Sequence, residues 1–294
     1  MTMACGDGLR RRRQMDRLAD MTRFLLTTSS LSALLVMGAI GGTGCAAALP
    51  VTTLEEEPPR LLNAFFGLDD ALPDEVFWLC PGGGGTDGMP VTFSRRLSGS
   101  VPPAAFAVVL RSGAKKTPLC ATTAPANEAS ENHTVLLVGD LGGVDDPPLR
   151  VEVVADLWAD GVGGAVDNAR GASVEVTPLP AGPTMVLASA MTPGAITSDC
   201  PSATRQLVMV TWSGGVVPDV DANQEMHRLA YTVTTDVGDV TPMALGDLDD
   251  RDNYVHLCLD SDATVQRVRA RAAVLVDPNH DENPETSVTV FTAR

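Results

Sequence analysis

Lysine is nearly missing from this sequence. Among 294 residues the lysines are Lys115 and Lys116, and 37 acidic residues outnumber 21 Lys and Arg for a formal charge of −16. Phosphate backbones and anionic lipid surfaces are gripped by clustered Lys and Arg, so the composition argues against nucleic-acid partners and against insertion or docking of the domains on a membrane. Aromatic residues make up only 4 % of the chain, so any core is modest and gains from extra fastening. Helical periodicity is almost absent, and with it the long helices that connect parallel strands. The sequence has no G-x-S-x-G elbow and no H-E-x-x-H. The stretch Gly83 to Gly88 spells G-x-G-x-x-G, but Pro81 precedes it and Met89-Pro90 follows, whereas a dinucleotide site needs a strand before and a helix after. No two cysteines have the C-x-x-C spacing of a redox pair. The four histidines, His133, His227, His256 and His280, share no spacing that would place two on one metal from one element.

What the chain does have begins at its N-terminus. Arg10 to Arg13 with Arg17 and Arg23 form a basic region, Leu31 to Ile40 an apolar one, and small residues run from Gly41 to Ala48. This order reads as an export signal spanning residues 1–48, with Ala46-Ala47-Ala48 as the cleavage pattern and a mature chain starting at Leu49. Gly44-Cys45 resembles the end of a bacterial lipoprotein signal, which would make Cys45 a lipid-anchored first residue, although Gly42 stands where that pattern wants a large aliphatic side chain. A third reading is an uncleaved anchor from Phe24 to Ala48, a length that spans a bilayer but is diluted by Thr27 to Ser30 and several glycines. Six Arg and three Asp leave with the signal, so the mature formal charge moves from −16 to −19. Export implies an oxidising compartment, extracytoplasmic, whether secreted, periplasmic or tethered at the cell surface, where ATP and reduced nicotinamide cofactors are scarce.

About 245 mature residues suggest two domains. Cys80-Pro81 recurs as Cys200-Pro201, Val91-Thr92-Phe93 as Val210-Thr211-Trp212, and Thr117-Pro118 as Thr241-Pro242. Matches in one order at one approximate spacing indicate a diverged tandem duplication. On this pattern His133 and His256 also correspond, which favours a repeated structural role for them over catalysis. Residues 49–60 form an acidic leader, 61–186 a first domain and 187–294 a second, with the division near the prolines Pro178, Pro180, Pro183 and Pro193. Each half consists of short alternating or apolar runs broken by Gly, Pro, Asp and Asn, the mark of strands. The expected strands are 91–93, 106–110, 134–138, 151–154 and 174–177, then 207–212, 229–235, 255–259, 265–276 and 287–291. The fold class this predicts is all-β, as two tandem antiparallel sandwiches of immunoglobulin-like or fibronectin-like type.

If each domain closes on itself, the four cysteines outside the signal pair as Cys80 with Cys120 and Cys200 with Cys258. The one segment with metal-ligand character runs from Asp277 to Glu285. Asp277, Asn279, Asp281, Asn283 and Glu285 place oxygens at every second position, which suits a structural calcium, although Glu282 and Val288 depart from the EF-hand pattern. Asp, Asn and Pro are also ordinary turn residues. A second acidic loop, Asp247 to Asn253, could supply further ligands. Trp78 and Trp158 are candidate ligand platforms, and Trp212 in its apolar strand reads as core. Two classes of function fit: a non-catalytic binding or structural module for a protein or glycan partner, or an exported hydrolase that uses Ser94 or Ser213 with a histidine and an aspartate. No catalytic residue is singled out by pattern, and no cofactor beyond that calcium is implied.

Overall fold

A computed structural model describes residues 57–126, 128, 130–191, 199–218, 223–248 and 252–292. The expected signal segment 1–48, with Cys45, and the expected leader up to residue 56 lie outside the described residues. The described chain is nearly all β. Its first half carries β1 (Leu61–Phe65), β2 (Asp87–Phe93), β3 (Phe106–Leu110), β4 (Lys115–Lys116), β5 (Cys120–Thr122), β6 (Thr134–Gly139), β7 (Pro148–Val153), β8 (Trp158–Asp160), β9 (Val166–Asn168) and β10 (Ser173–Thr177). The second carries β11 (Met185–Ala190), β12 (Gln206–Trp212), β13 (Val217–Pro218), helix α1 (Gln224–Ala230), β14 (Tyr231–Thr235), β15 (Gly238–Val240), β16 (Ala244–Gly246), β17 (Tyr254–Leu259), β18 (Val265–Ala270), β19 (Leu275–Val276) and β20 (Thr286–Thr292).

Two eight-stranded sheets result, ordered β4-β3-β7-β10-β1-β2-β6-β5 and β15-β14-β18-β20-β11-β12-β17-β16. The orders correspond strand for strand. β1 pairs antiparallel with β2 and parallel with β10, as β11 does with β12 and β20, and the first and third residues of both opening strands flank a bulge, Leu61/Asn63 and Met185/Leu187. Each sheet curls so that strands far apart in its order meet across a core. Phe93 of β2 meets Phe106 of β3 edge-on at 6.4 Å, and Trp212 of β12 meets Tyr231 of β14 in the same way at 6.4 Å. Apolar side chains from both ends of each sheet close these cores, with Val91, Leu137 and Val151 in one and Val210, Leu257 and Val268 in the other. Burial of this area is the main stabilising term, at about 25 cal/mol per Å².

Both cysteine pairs are bridged as expected if each half closes on itself, Cys80 to Cys120 and Cys200 to Cys258. The landing points differ. Cys120 lies on β5 opposite Val138 of β6, whereas Cys258 lies on β17, in the place of Val138, opposite Ala244 of β16. The segment before β2 is therefore tied to β5, whereas its counterpart before β12 is tied to β17, the equivalent of β6.

The structure changes several expectations. β1 and β11 were not anticipated, because short runs with Asn, Ala and Ser beside proline-rich connections carry no clean alternation. β11 begins at Met185, two residues before the expected division after residue 186. The expected strand 229–235 starts at Tyr231, since Asn223 caps a helix there by accepting from the Met226 amide at 2.9 Å. The equivalence of His133 with His256 is wrong by three residues. Phe93 N donates to His133 O and Trp212 N to Asn253 O, both at 2.7 Å, so the counterpart of His133 is Asn253. Their side chains even make the same contact, His133 Nδ1 with Phe93 O at 3.1 Å and Asn253 Nδ2 with Trp212 O at 2.7 Å. His256 stands instead at the position of Leu136.

Candidate functional site

The halves meet along a polar joint. The Tyr254 hydroxyl, buried at the start of β17, contacts Thr134 Oγ1 of β6 at 3.0 Å and donates to the backbone carbonyl of Glu131. Asn253 Nδ2 donates to Thr134 Oγ1 at 3.1 Å, and Asn63 Nδ2 of β1 donates to Ser213 O at 3.1 Å. Close approach needs glycine here: a Cβ on Gly214 would lie 2.6 Å from the Phe65 ring. A cleft of about 160 Å³ opens beside the joint, lined from both sides by Phe65, Leu136, Pro125, Gly214 and Asn253.

Under this joint sits the most unusual chemistry of the molecule. The connection between β5 and β6 carries Glu128 and Glu131, the turn after β16 carries Asp247, the residue two before β17 is Asp252, and β17 carries His256. Backbone bonds fix Glu131, its N–H donating to Glu128 O and its carbonyl accepting from Tyr254. Its side chain is 0 % exposed, and among the described residues its carboxyl faces the Glu128 carboxyl, with no N–H or hydroxyl donor within reach. His256 Nε2 stands 3.7 Å from Glu131 Oε1 and 3.8 Å from Asp247 Oδ2, too long for hydrogen bonds. Both ring nitrogens of His256, itself 4 % exposed, likewise lack a hydrogen-bond partner. One ligand atom each from Glu131, Asp247 and His256 fall within 4.8 Å of one another, and Glu128, Glu131 and Asp252 form a second such set that shares Glu131.

Burial drives the Glu131 pKa far above the ordinary carboxylate range, helped by the facing Glu128 carboxyl and by the charges of Asp247 and Asp252. Burial also lowers His256, which leaves the imidazole neutral with a free lone pair at neutral pH, although Asp199 and Glu128 pull the other way.

The calcium-type loop takes a different form. Asp277 is buried, and its Oδ1 accepts from the Asn279 and Asp281 amides, both at 2.9 Å. Asn279 Nδ2 donates to Asp281 Oδ2 at 2.7 Å, and Asn283 Oδ1 accepts from the Val274 and Leu275 amides. Glu285 points to solvent. The structure thus brings Asp277, Asn279 and Asp281 together as a self-bonded turn and directs Asn283 inward to close a backbone gap. Of the second acidic loop, Asp247 and Asp252 join the buried cluster, while 249–251 lie outside the described residues.

Ser94 and Ser213 hold equivalent backbone clasps, their Oγ atoms accepting from Arg60 N and Thr184 N at 3.0 Å. Trp212 is buried, Trp158 is half exposed, and Trp78 is 86 % exposed. A further acidic set, Asp69, Asp70 and Asp87, is satisfied at its buried member, where Asp87 accepts from Asp70 N at 2.8 Å and Leu141 N at 2.6 Å. Glu131 escaped the sequence reading and His256 was read there as structural, because the groups they face are brought together from both halves of the chain and no local spacing joins them. No protein-family profile and no curated protein matches this sequence.

Proposed function

We propose that this chain is an exported, non-catalytic module of two tandem immunoglobulin-like sandwiches that binds a protein partner at or outside the cell surface. The observation that carries this reading is one disulfide in each of two halves with the same strand order. The reading is supported by the strand neighbours of the first half, where β5-β6-β2-β1 would correspond to D-E-B-A and β10-β7-β3 to G-F-C of an immunoglobulin-like sandwich, and by the matching order of the second. Such bridges persist in oxidising compartments. Among the described residues no helix is long and apolar enough to cross a membrane.

Partner binding is supported by one surface. The 3₁₀ turn Asp74–Trp78 buries only Val76, leaving Phe77 and Trp78 outward in an edge-on pair at 5.7 Å. Exposed Leu79 and Leu119 each precede a cysteine of the Cys80–Cys120 bridge. A patch of two exposed aromatics and two exposed leucines suits a protein surface better than a sugar ring, which calls for polar groups around the stacking face.

Expression of the full chain in a bacterial host should yield an extracytoplasmic product whose first residue is Leu49, or lipid-modified Cys45, with no titratable thiol in the folded domains. Trp78→Ser should fold and export normally but lose retention on the producing cells' surface. A cytoplasmic product with four free thiols would refute export, and unchanged retention would refute the patch.

A further inference from the structure

We propose that Glu131, Asp247 and His256 bind a divalent transition-metal ion of the zinc type, with Glu128 and Asp252 closing the site from its other side. The site draws ligands from both halves of the chain. Glu131 comes from the β5–β6 connection of the first, Asp247 and His256 from the β16–β17 hairpin of the second.

Four features carry the assignment. The Glu131 carboxyl has no solvent contact and, apart from the Glu128 carboxyl beside it, no hydrogen-bond partner among the described residues, and its charged form is costly to bury unless a cation compensates it. The imidazole facing it has both nitrogens uncommitted among the described residues, which is rare for a buried histidine and fits a ligand. The spacing is right as well: ligands on tetrahedral zinc, at about 2.0–2.1 Å from the ion, stand roughly 3.3 Å apart, so the 3.7 and 3.8 Å separations require a contraction of less than about half an ångström. Finally, the backbone of Glu131 is pinned by Tyr254 and Glu128, so the carboxylate is held in place before any ion arrives.

The donor set also selects the ion. Calcium takes six to eight oxygens at about 2.3–2.6 Å in open, flexible loops. One imidazole with a few buried carboxylates suits zinc or a similar first-row ion. The site has no obvious route for substrate, since Glu131 is fully enclosed, so the ion clamps the two halves. This inference does not depend on export or on the Trp78 surface.

The test uses the full chain purified without a histidine tag. Elemental analysis should find about one zinc per chain, removable by chelator and restored by titration with micromolar zinc. Glu131→Gln and His256→Gln should weaken zinc binding by more than the roughly 10–100-fold that changes outside the ligand shell cause, while exposed His280→Ala should leave it unchanged. Intact disulfides and an unchanged near-ultraviolet dichroism spectrum establish that the variants fold, and parental stoichiometry is measured independently of them. Failure of the parent to take up zinc, preference for calcium, or parental affinity in both ligand variants would overturn the assignment.

Discussion

His227 shows how one buried side chain sets a pH response. It lies on the inner face of α1 at 1 % exposure, its ring 5.6 Å from that of Tyr231, with Nε2 3.4 Å from the Tyr231 hydroxyl. Burial alone lowers its pKa to about 4. Above the unfolded value of about 6.5 the imidazole is neutral in both states and has no effect. As pH falls from there towards 4, the unfolded chain takes up a proton that the folded chain refuses, so stability drops by about 3 kcal/mol and then levels off. His227→Phe keeps an aromatic ring beside Tyr231, whose hydroxyl still receives the Trp212 indole N–H at 3.2 Å. The variant should therefore lose less stability than the parent between pH 6.5 and 4, as urea midpoints at several pH values would reveal. Parallel pH curves for the two proteins would exclude this origin. Single residues were partly legible in the sequence. Trp212 declared its burial by its apolar strand, whereas the repeated clasps of Ser94 and Ser213 needed the Arg60 and Thr184 backbones to become visible.

At the scale of elements, the strands the sequence revealed were those with apolar runs, such as β3 and, with His256 as its polar interruption, β17. Those it hid were short or compositionally mixed. β1 and β11 are interrupted by a bulge near their start, which breaks the period-two pattern, and α1 has too few turns to display a helical period. The bridge pairing followed from letting each half close on itself, but the strand on which each second cysteine sits was not legible. This asymmetry leaves the energetic role unchanged. The bridges close 40 and 58 residues of chain, and in the chain-entropy view each limits the unfolded state by about 4 kcal/mol. Replacing Cys80 and Cys120 together by Ser should lower stability by about that amount, and the same change at Cys200 and Cys258 should cost slightly more. Urea denaturation under non-reducing conditions measures both, and a loss below about 1 kcal/mol in either would contradict the ordering role of the bridges.

At the scale of the whole molecule, the question is whether two similarly built halves behave as one. The joint is buried and polar, so its bonds count for more than exposed ones would, and Tyr254 anchors it by reaching both Thr134 and the Glu131 carbonyl across the boundary. Burial raises the Tyr254 pKa well above its ordinary value, so it stays a neutral donor throughout the stable pH range. Tyr254→Phe deletes that donor, with an expected loss of about 1–2 kcal/mol. Gly214→Ala would force a methyl group to 2.6 Å from the Phe65 ring and push the halves apart. Calorimetry of the parent should show a single cooperative transition, because neither half can open without exposing the joint. In the Tyr254→Phe, Gly214→Ala double variant that transition should split into two, since each half keeps its own core and its own disulfide. Two transitions in the parent, or one at the parental temperature in the variant, would mean that the halves are joined in sequence but not coupled in energy.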